Sequence, residues 1–138
     1  MSGPSTAVNL ASLFAALADP TRLRLLNLID GHEVCVCYLV EVLGQSQPKI
    51  SRHLAYLRKA GIVAARREGK WMHYSISAPA ESAATSILAA ALGALRADRR
   101  MRSDRAKLDR ACRAPQKLLL PEGAPRAVRV ASPAESKL

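Results

Sequence analysis

Two thiols stand two residues apart at Cys35 and Cys37, with a third at Cys112. A Cys-x-Cys pair can chelate one soft ion, because thiolate sulfur is a soft donor. The pair falls at the entry to an apolar stretch, Cys37 to Leu43, whose spacing predicts a short helix closed by Gly44. A helix N-terminus favours the thiolate, the metal-binding form. An odd cysteine count with two in a Cys-x-Cys argues against a disulfide framework and for a reduced, cytoplasmic thiol site. The other reading of a free cysteine is a small buried hydrophobe. The histidines are His32, His53 and His73. His32 is a candidate accessory ligand, with a plain surface role the simpler reading, and His73 reads as a hairpin residue. Structural zinc takes four Cys/His ligands, which this set matches poorly. A catalytic thiol needs a general base and an anion-binding loop. No glycine-rich loop stands beside Cys35, so an enzyme is not expected.

A second set of chemistry-bearing residues lies between Gln47 and Lys59. With Ile50, Leu54 and Leu57 buried as one stripe, the outward residues include Gln47, Lys49, Ser51, Arg52, His53 and Tyr56. Gln, Ser, Arg and Lys hydrogen-bond base edges and phosphates. Arg66, Arg67 and Lys70 follow at the expected tip of a hairpin, where they suit nucleic-acid backbone or minor groove.

The elements that must position these residues are legible in outline. Leu10, Leu13, Phe14 and Leu17 make one face of a helix over about 10–18. Asp19-Pro20 caps and opens a second helix reaching about Ile29. The short helix over 37–43 comes third. Ser46 caps the fourth, which ends at Gly61. Two extended runs, Ile62 to Arg67 and Trp71 to Ile76, flank Glu68-Gly69-Lys70 and predict a hairpin. From about Pro79 one long helix is expected, with a seam of Ala84, Ile87, Leu88, Ala91, Leu92 and Leu95. The fold class is mainly α with a small β-hairpin: a winged helix-turn-helix, whose second helix enters the major groove.

The chain has 138 residues and a formal net charge of +10, which points to a polyanionic partner. Only 4% of residues are aromatic, so the core is aliphatic. No apolar run approaches the roughly 18 residues of a membrane span. Met1 to Asn9 has no basic stretch leading into a long apolar one, so no secretory signal is expected. Two regions are expected: a DNA-binding and dimerisation domain over 1–112, and a flexible basic Pro/Ala-rich tail over 113–138.

Four stretches together resemble the ArsR/SmtB family of bacterial metal-responsive repressors. They are Ala18-Asp19-Pro20-Thr21-Arg22-Leu23-Arg24-Leu25-Leu26, Ser46-Gln47-Pro48-Lys49-Ile50-Ser51-Arg52-His53-Leu54, and Leu57-Arg58-Lys59-Ala60-Gly61-Ile62-Val63 with Arg67-Glu68-Gly69-Lys70-Trp71. The resemblance covers roughly residues 8 to 95. It implies a homodimer built through the first and last helices, burying Leu10, Leu13, Ile87, Leu88 and Leu95. It implies a double-stranded operator that is an imperfect inverted repeat, released when an inducer binds.

Glu33-Val34-Cys35-Val36-Cys37-Tyr38-Leu39 resembles the Glu-Leu-Cys-Val-Cys-Asp-Leu box of the arsenic-responsive members. This implies As(III) or Sb(III) as inducer at Cys35 and Cys37, with Cys112, the one other cysteine, as candidate third ligand. The family's zinc and cobalt site on the long helix has no histidines here, and its cadmium and lead members carry an earlier cysteine that this chain lacks. The box departs from the family where a third cysteine commonly stands: here it is Val40. A straight helix over 81–112 would run roughly 48 Å and carry Cys112 far from Cys35. A bent helix, the box of a second copy, or a small thiol would each complete the site. The alternative function is a regulator of the same fold that senses oxidation through disulfides among the three cysteines.

Overall fold

The computed structural model describes residues 6–79, 82–114 and 120–132. In chain order the elements are α1 (Thr6–Leu17), α2 (Pro20–Ile29), β1 (His32–Cys35), α3 (Val36–Leu43), α4 (Gln47–Lys59), β2 (Val63–Glu68), β3 (Trp71–Ile76), α5 (Ser82–Ala97), α6 (Arg99–Arg113) and β4 (Val128–Arg129).

Local signals set most helix ends. Asp19 caps α2 by accepting from the Arg22 backbone N–H at 3.0 Å, with Pro20 opening the helix. Ser46 caps α4 by accepting from the Lys49 N–H at 3.4 Å. Gly44 ends α3 at φ 67°, a left-handed conformation in which a side chain is strained. Ile50, Leu54 and Leu57 of α4 are all fully buried, against α2 and α3. Each such side chain contributes about 1.5–3 kcal/mol relative to exposure.

The hairpin of β2 and β3 pairs from Val63↔Ile76 to Glu68↔Trp71, so its turn is only Gly69-Lys70. Glu68, expected in the loop, belongs to β2. The sheet has four strands in the order β2-β3-β1-β4, all neighbours antiparallel. β1 and β4 were not expected. β1 is four residues long, too short to show a period, and it leads directly into α3.

Four expectations need correction. The long last helix is two helices. Asp98 leaves helical geometry and caps a new one, accepting from the Met101 N–H at 3.1 Å. α6 then folds back over α2 and α3. The tail does not stand apart from the domain over its described part. Leu120, Ala124 and Ala127 pack on the core, β4 pairs with β1, and Ser132 is buried. The face of α1 is narrower than expected: Leu13 is buried, whereas Phe14 is 53% exposed. Leu13 and Leu88 lie in this chain's own core, so a dimer interface cannot bury them again.

α6 docks through buried polar groups as much as apolar ones. Arg24 of α2 holds Asp104 of α6 with two hydrogen bonds, 2.8 and 3.0 Å, and Asp104 is 2% exposed. Asn27 Nδ2 donates to the Met101 carbonyl at 2.9 Å, and Arg105 donates to the Asn27 carbonyl at 2.7 Å.

Candidate metal and nucleic-acid sites

Cys35 is the last residue of β1 and the N-cap of α3; Cys37 is in that helix's first turn. The strand-to-helix junction folds the two thiols onto each other, with Sγ–Sγ at 2.8 Å. One sulfur therefore donates to the other. The Cys35 thiol is lowered to about 6 by the hydrogen bond from Cys37, helped by backbone N–H groups and the nearby His73. Cys37 is pushed up for the converse reason, as donor to Cys35 and by burial. The contact favours one thiolate beside one thiol, and a helix N-terminus is a favourable place for that charge.

Cys112 lies on α6, which packs along α3 in the same chain. Tyr38, next to Cys37, lies within electrostatic reach of Cys112, Cys37 and Cys35, and of Arg126 from the returning tail. Burial first, and these sulfurs next, push its phenol pKa up. Its hydroxyl is buried with no hydrogen-bond partner among the described residues. The three cysteines thus share one region, but among the described residues no three His, Cys, Asp or Glu side chains close into a metal-type cluster. His32, the candidate accessory ligand, sits instead against Arg105, Arg129 and Asp109.

Sequence reasoning missed the link from the cysteines to the wing. Register places Cys35, His73 and Arg66 opposite one another across three strands. Directly opposed side chains point to one face of a sheet. From that row Arg66 reaches Glu33 of β1 with two hydrogen bonds, 3.0 and 2.8 Å, and His73 Nε2 lies 2.9 Å from Glu68 Oε1. Arg66, expected at the wing tip for DNA, is held back against β1. No signal for this existed without β1, since Glu33 and Arg66 are far apart in the chain.

On α4, Gln47, Lys49 and Arg52 are exposed and Ser51 is half-buried, so the outward set of its first turns stands as expected. His53 and Tyr56 also meet Arg22. Arg22 lies 4.1 Å over the Tyr56 ring and 3.5 Å from His53 Nδ1, and it donates to the carbonyls of Ala15 and Ala16. These two residues tie α4 to the α1–α2 junction. On the wing, Arg67 Nε donates to the Gly69 carbonyl at 3.2 Å, and Lys70 sits 4.9 Å over the Trp71 ring. Both remain exposed.

A family model described as bacterial regulatory protein, arsR family, matches residues 19–65. The arsenical resistance operon repressor of Escherichia coli (strain K12) is 54% identical over 66 residues, which is 47% of this chain and 56% of that protein. The chain thus spans little more than half of that relative. Among solved structures, Rv0081 of M. tuberculosis shares 37% identity over 75% of this chain and 99% of its own, with a TM-score of 0.53. The homodimeric winged helix-turn-helix DNA-binding domain Mb0332 from Mycobacterium bovis shares 28% identity over 68% of this chain and 89% of its own, with a TM-score of 0.54. The matched residues hold both helix caps, the α4 stripe and the thiol pair. This chain belongs to the arsR family of bacterial regulatory proteins, with the winged helix-turn-helix fold.

Proposed function

We propose that this protein is a homodimeric transcriptional repressor that releases its operator when trivalent arsenic or antimony binds its cysteines. The observation that carries the reading is the Cys35–Cys37 contact at the N-cap of α3, the helix that packs on α4. The donor set suits a soft ion: two sulfurs in contact, one favoured as a thiolate. Cys35 and Cys37 hold the ion, and Cys112 is the third sulfur, supplied by α6 of the same chain. The α6 backfold supports that choice over a second copy's box. The three sulfurs do not converge in this structure, so closing the site requires α6 and α3 to shift against each other. α3 and β1 then bear on α4 and, through Glu33–Arg66, on the wing. That gives the bound and free states different affinities for DNA, which release requires.

Gln47, Lys49, Ser51 and Arg52 read the major groove, with Arg67 and Lys70 on the backbone. His53, Tyr56 and Arg66 act through position rather than contact. The exposed Phe14 of α1 and the small exposed residues of α5, Ala83, Ala90 and Ala94, form the face for the second copy.

X-ray absorption with one equivalent of arsenite, without added thiol, tests the inducer site. Three sulfurs per arsenic are expected in wild type and two in Cys112→Ser. Three in both variants would move the third ligand elsewhere. No bound arsenic would sink the inducer reading and favour oxidation sensing. Duplexes selected from a random pool test the DNA reading: arsenite should lower affinity in wild type and leave Cys35→Ser bound.

A further inference from the structure

Among the described residues, Asn27 Oδ1, His32 Nδ1, Gln45 Oε1 and the Tyr38 hydroxyl are buried with no hydrogen-bond partner. Asn27 and Gln45 each use the other atom of the amide, on Met101 and Thr21. His32 lies among charged groups of α6 and β4. Tyr38 differs, because a phenol has one hydrogen-bonding atom and here it has no partner. The side chain is fully buried, so bulk water does not supply one. An unpaired buried hydroxyl is costly, and in a native protein it calls for a partner that arrives later.

Its position says which partner. Tyr38 follows Cys37 in the first turn of α3. One turn on, along the same face, Val42 lines a cavity with Ala111 of α6, the residue before Cys112. Cys112 packs on the same core cluster that holds Tyr38 and Cys35. All three sulfurs lie within electrostatic reach of the hydroxyl.

We propose that the Tyr38 hydroxyl donates a hydrogen bond to a hydroxyl group still carried by the trivalent ion, and so selects an inorganic oxo-acid over an organic arsenical. This rests on the inducer reading given above. When Cys35 and Cys37 capture arsenous acid, two As–S bonds form and two As–O bonds break. Counted from two thiols, the two departing hydroxides leave with the two thiol protons as water, and arsenic stays trivalent. One hydroxyl remains on arsenic, and its oxygen is the acceptor the phenol lacks in the free chain. The bond holds the two-sulfur adduct until α6 shifts and Cys112 displaces that last hydroxyl, again as water. A methyl group is close to a hydroxyl in size but accepts no hydrogen bond. Methylarsonous acid, held by the same two sulfurs, therefore leaves Tyr38 unpaired, and a site built to pair a hydroxyl discriminates against such an analogue.

Arsenite and methylarsonous acid are titrated calorimetrically into the reduced full chain as wild type, Cys112→Ala and Cys112→Ala/Tyr38→Phe. Removing Cys112 keeps one hydroxyl on arsenite, and alanine adds no new hydroxyl beside it. Adding Tyr38→Phe should weaken arsenite about five- to tenfold, as the loss of one buried hydrogen bond does, and leave methylarsonous acid within about twofold. The ligand-free thermal midpoint should not fall, since the deleted hydroxyl had no partner. Equal losses for both ligands, no loss for arsenite, or a lowered midpoint overturns the Tyr38 assignment and leaves the thiol site standing. So does arsenite that binds wild type but not Cys112→Ala, because no two-sulfur adduct then forms. Failure of both arsenicals to bind wild type overturns the inducer reading, and the Tyr38 assignment with it.

Discussion

The α4 helix and the α6 helix are neighbours of the same core, but they are held by opposite means. α4 buries Ile50, Leu54 and Leu57 and leaves its charges in water. α6 buries Met101, Leu108 and Ala111 but also Asp104, and its partners Arg24 and Asn27 come from some 75–80 residues earlier. An apolar stripe tolerates small shifts, since contact energy is non-directional. A two-pronged ion pair in a dry site does not, because a misplaced partner leaves a buried charge unpaired. The α4 helix is therefore secured broadly, while the helix carrying Cys112 is held in one register by a few polar contacts.

Breaking the ion pair should have the largest effect. Asp104→Ala leaves Arg24 unpaired and should cost about 3–5 kcal/mol in urea unfolding, whereas Arg24→Met/Asp104→Leu should recover much of that. A loss below about 1 kcal/mol would show that α6 is not held as described. The matching cut on the other side is smaller. Ser46→Ala removes the α4 cap and should cost about 1 kcal/mol, with arsenite stoichiometry unchanged. A third comparison concerns the thiols rather than stability. Thiolate ultraviolet absorbance followed against pH should show one ionisation depressed well below that of a free thiol, lost in Cys35→Ser. In Cys37→Ser the Cys35 midpoint should change, since the neighbouring thiol is its main cause. Two ordinary thiol ionisations in wild type would contradict the donor–acceptor assignment.

The smallest effect is at the wing. The Arg66 guanidinium holds the Glu33 carboxyl below the ordinary carboxylate range. A depressed carboxylate pKa contributes stability that is present above the unfolded value and lost as pH falls through the folded one. Thermal midpoints of wild type and Glu33→Gln should therefore differ slightly at pH 7 and converge as pH falls below the ordinary carboxylate range. With Arg66 half-exposed, solvent screening keeps that difference small.

What was legible followed from spacing. The caps at Asp19 and Ser46, the α4 stripe, Gly44 and the hairpin all draw on residues within a few positions of each other. So did the thiol pair, whose contact needs only a strand-to-helix junction. The break at Asp98 carried a readable sign that the apolar seam obscured: a short acidic residue three positions before Met101 is a helix cap. β1 carried none, because four residues with an inward pair at one end read as the lead-in to α3.

The sequence by itself determined the winged helix-turn-helix, the outward face of α4 and the closeness of Cys35 to Cys37, since local backbone preference and burial period act over a single turn or strand. Only the tertiary structure decided that α6 turns back to bring Cys112 beside α3. It alone decided that Arg66 serves β1, that His53 and Tyr56 serve Arg22, and that the tail completes the sheet. Those outcomes depend on pairings between groups about 30 to 100 residues apart. Such contacts form only when the whole core has brought both partners out of water together.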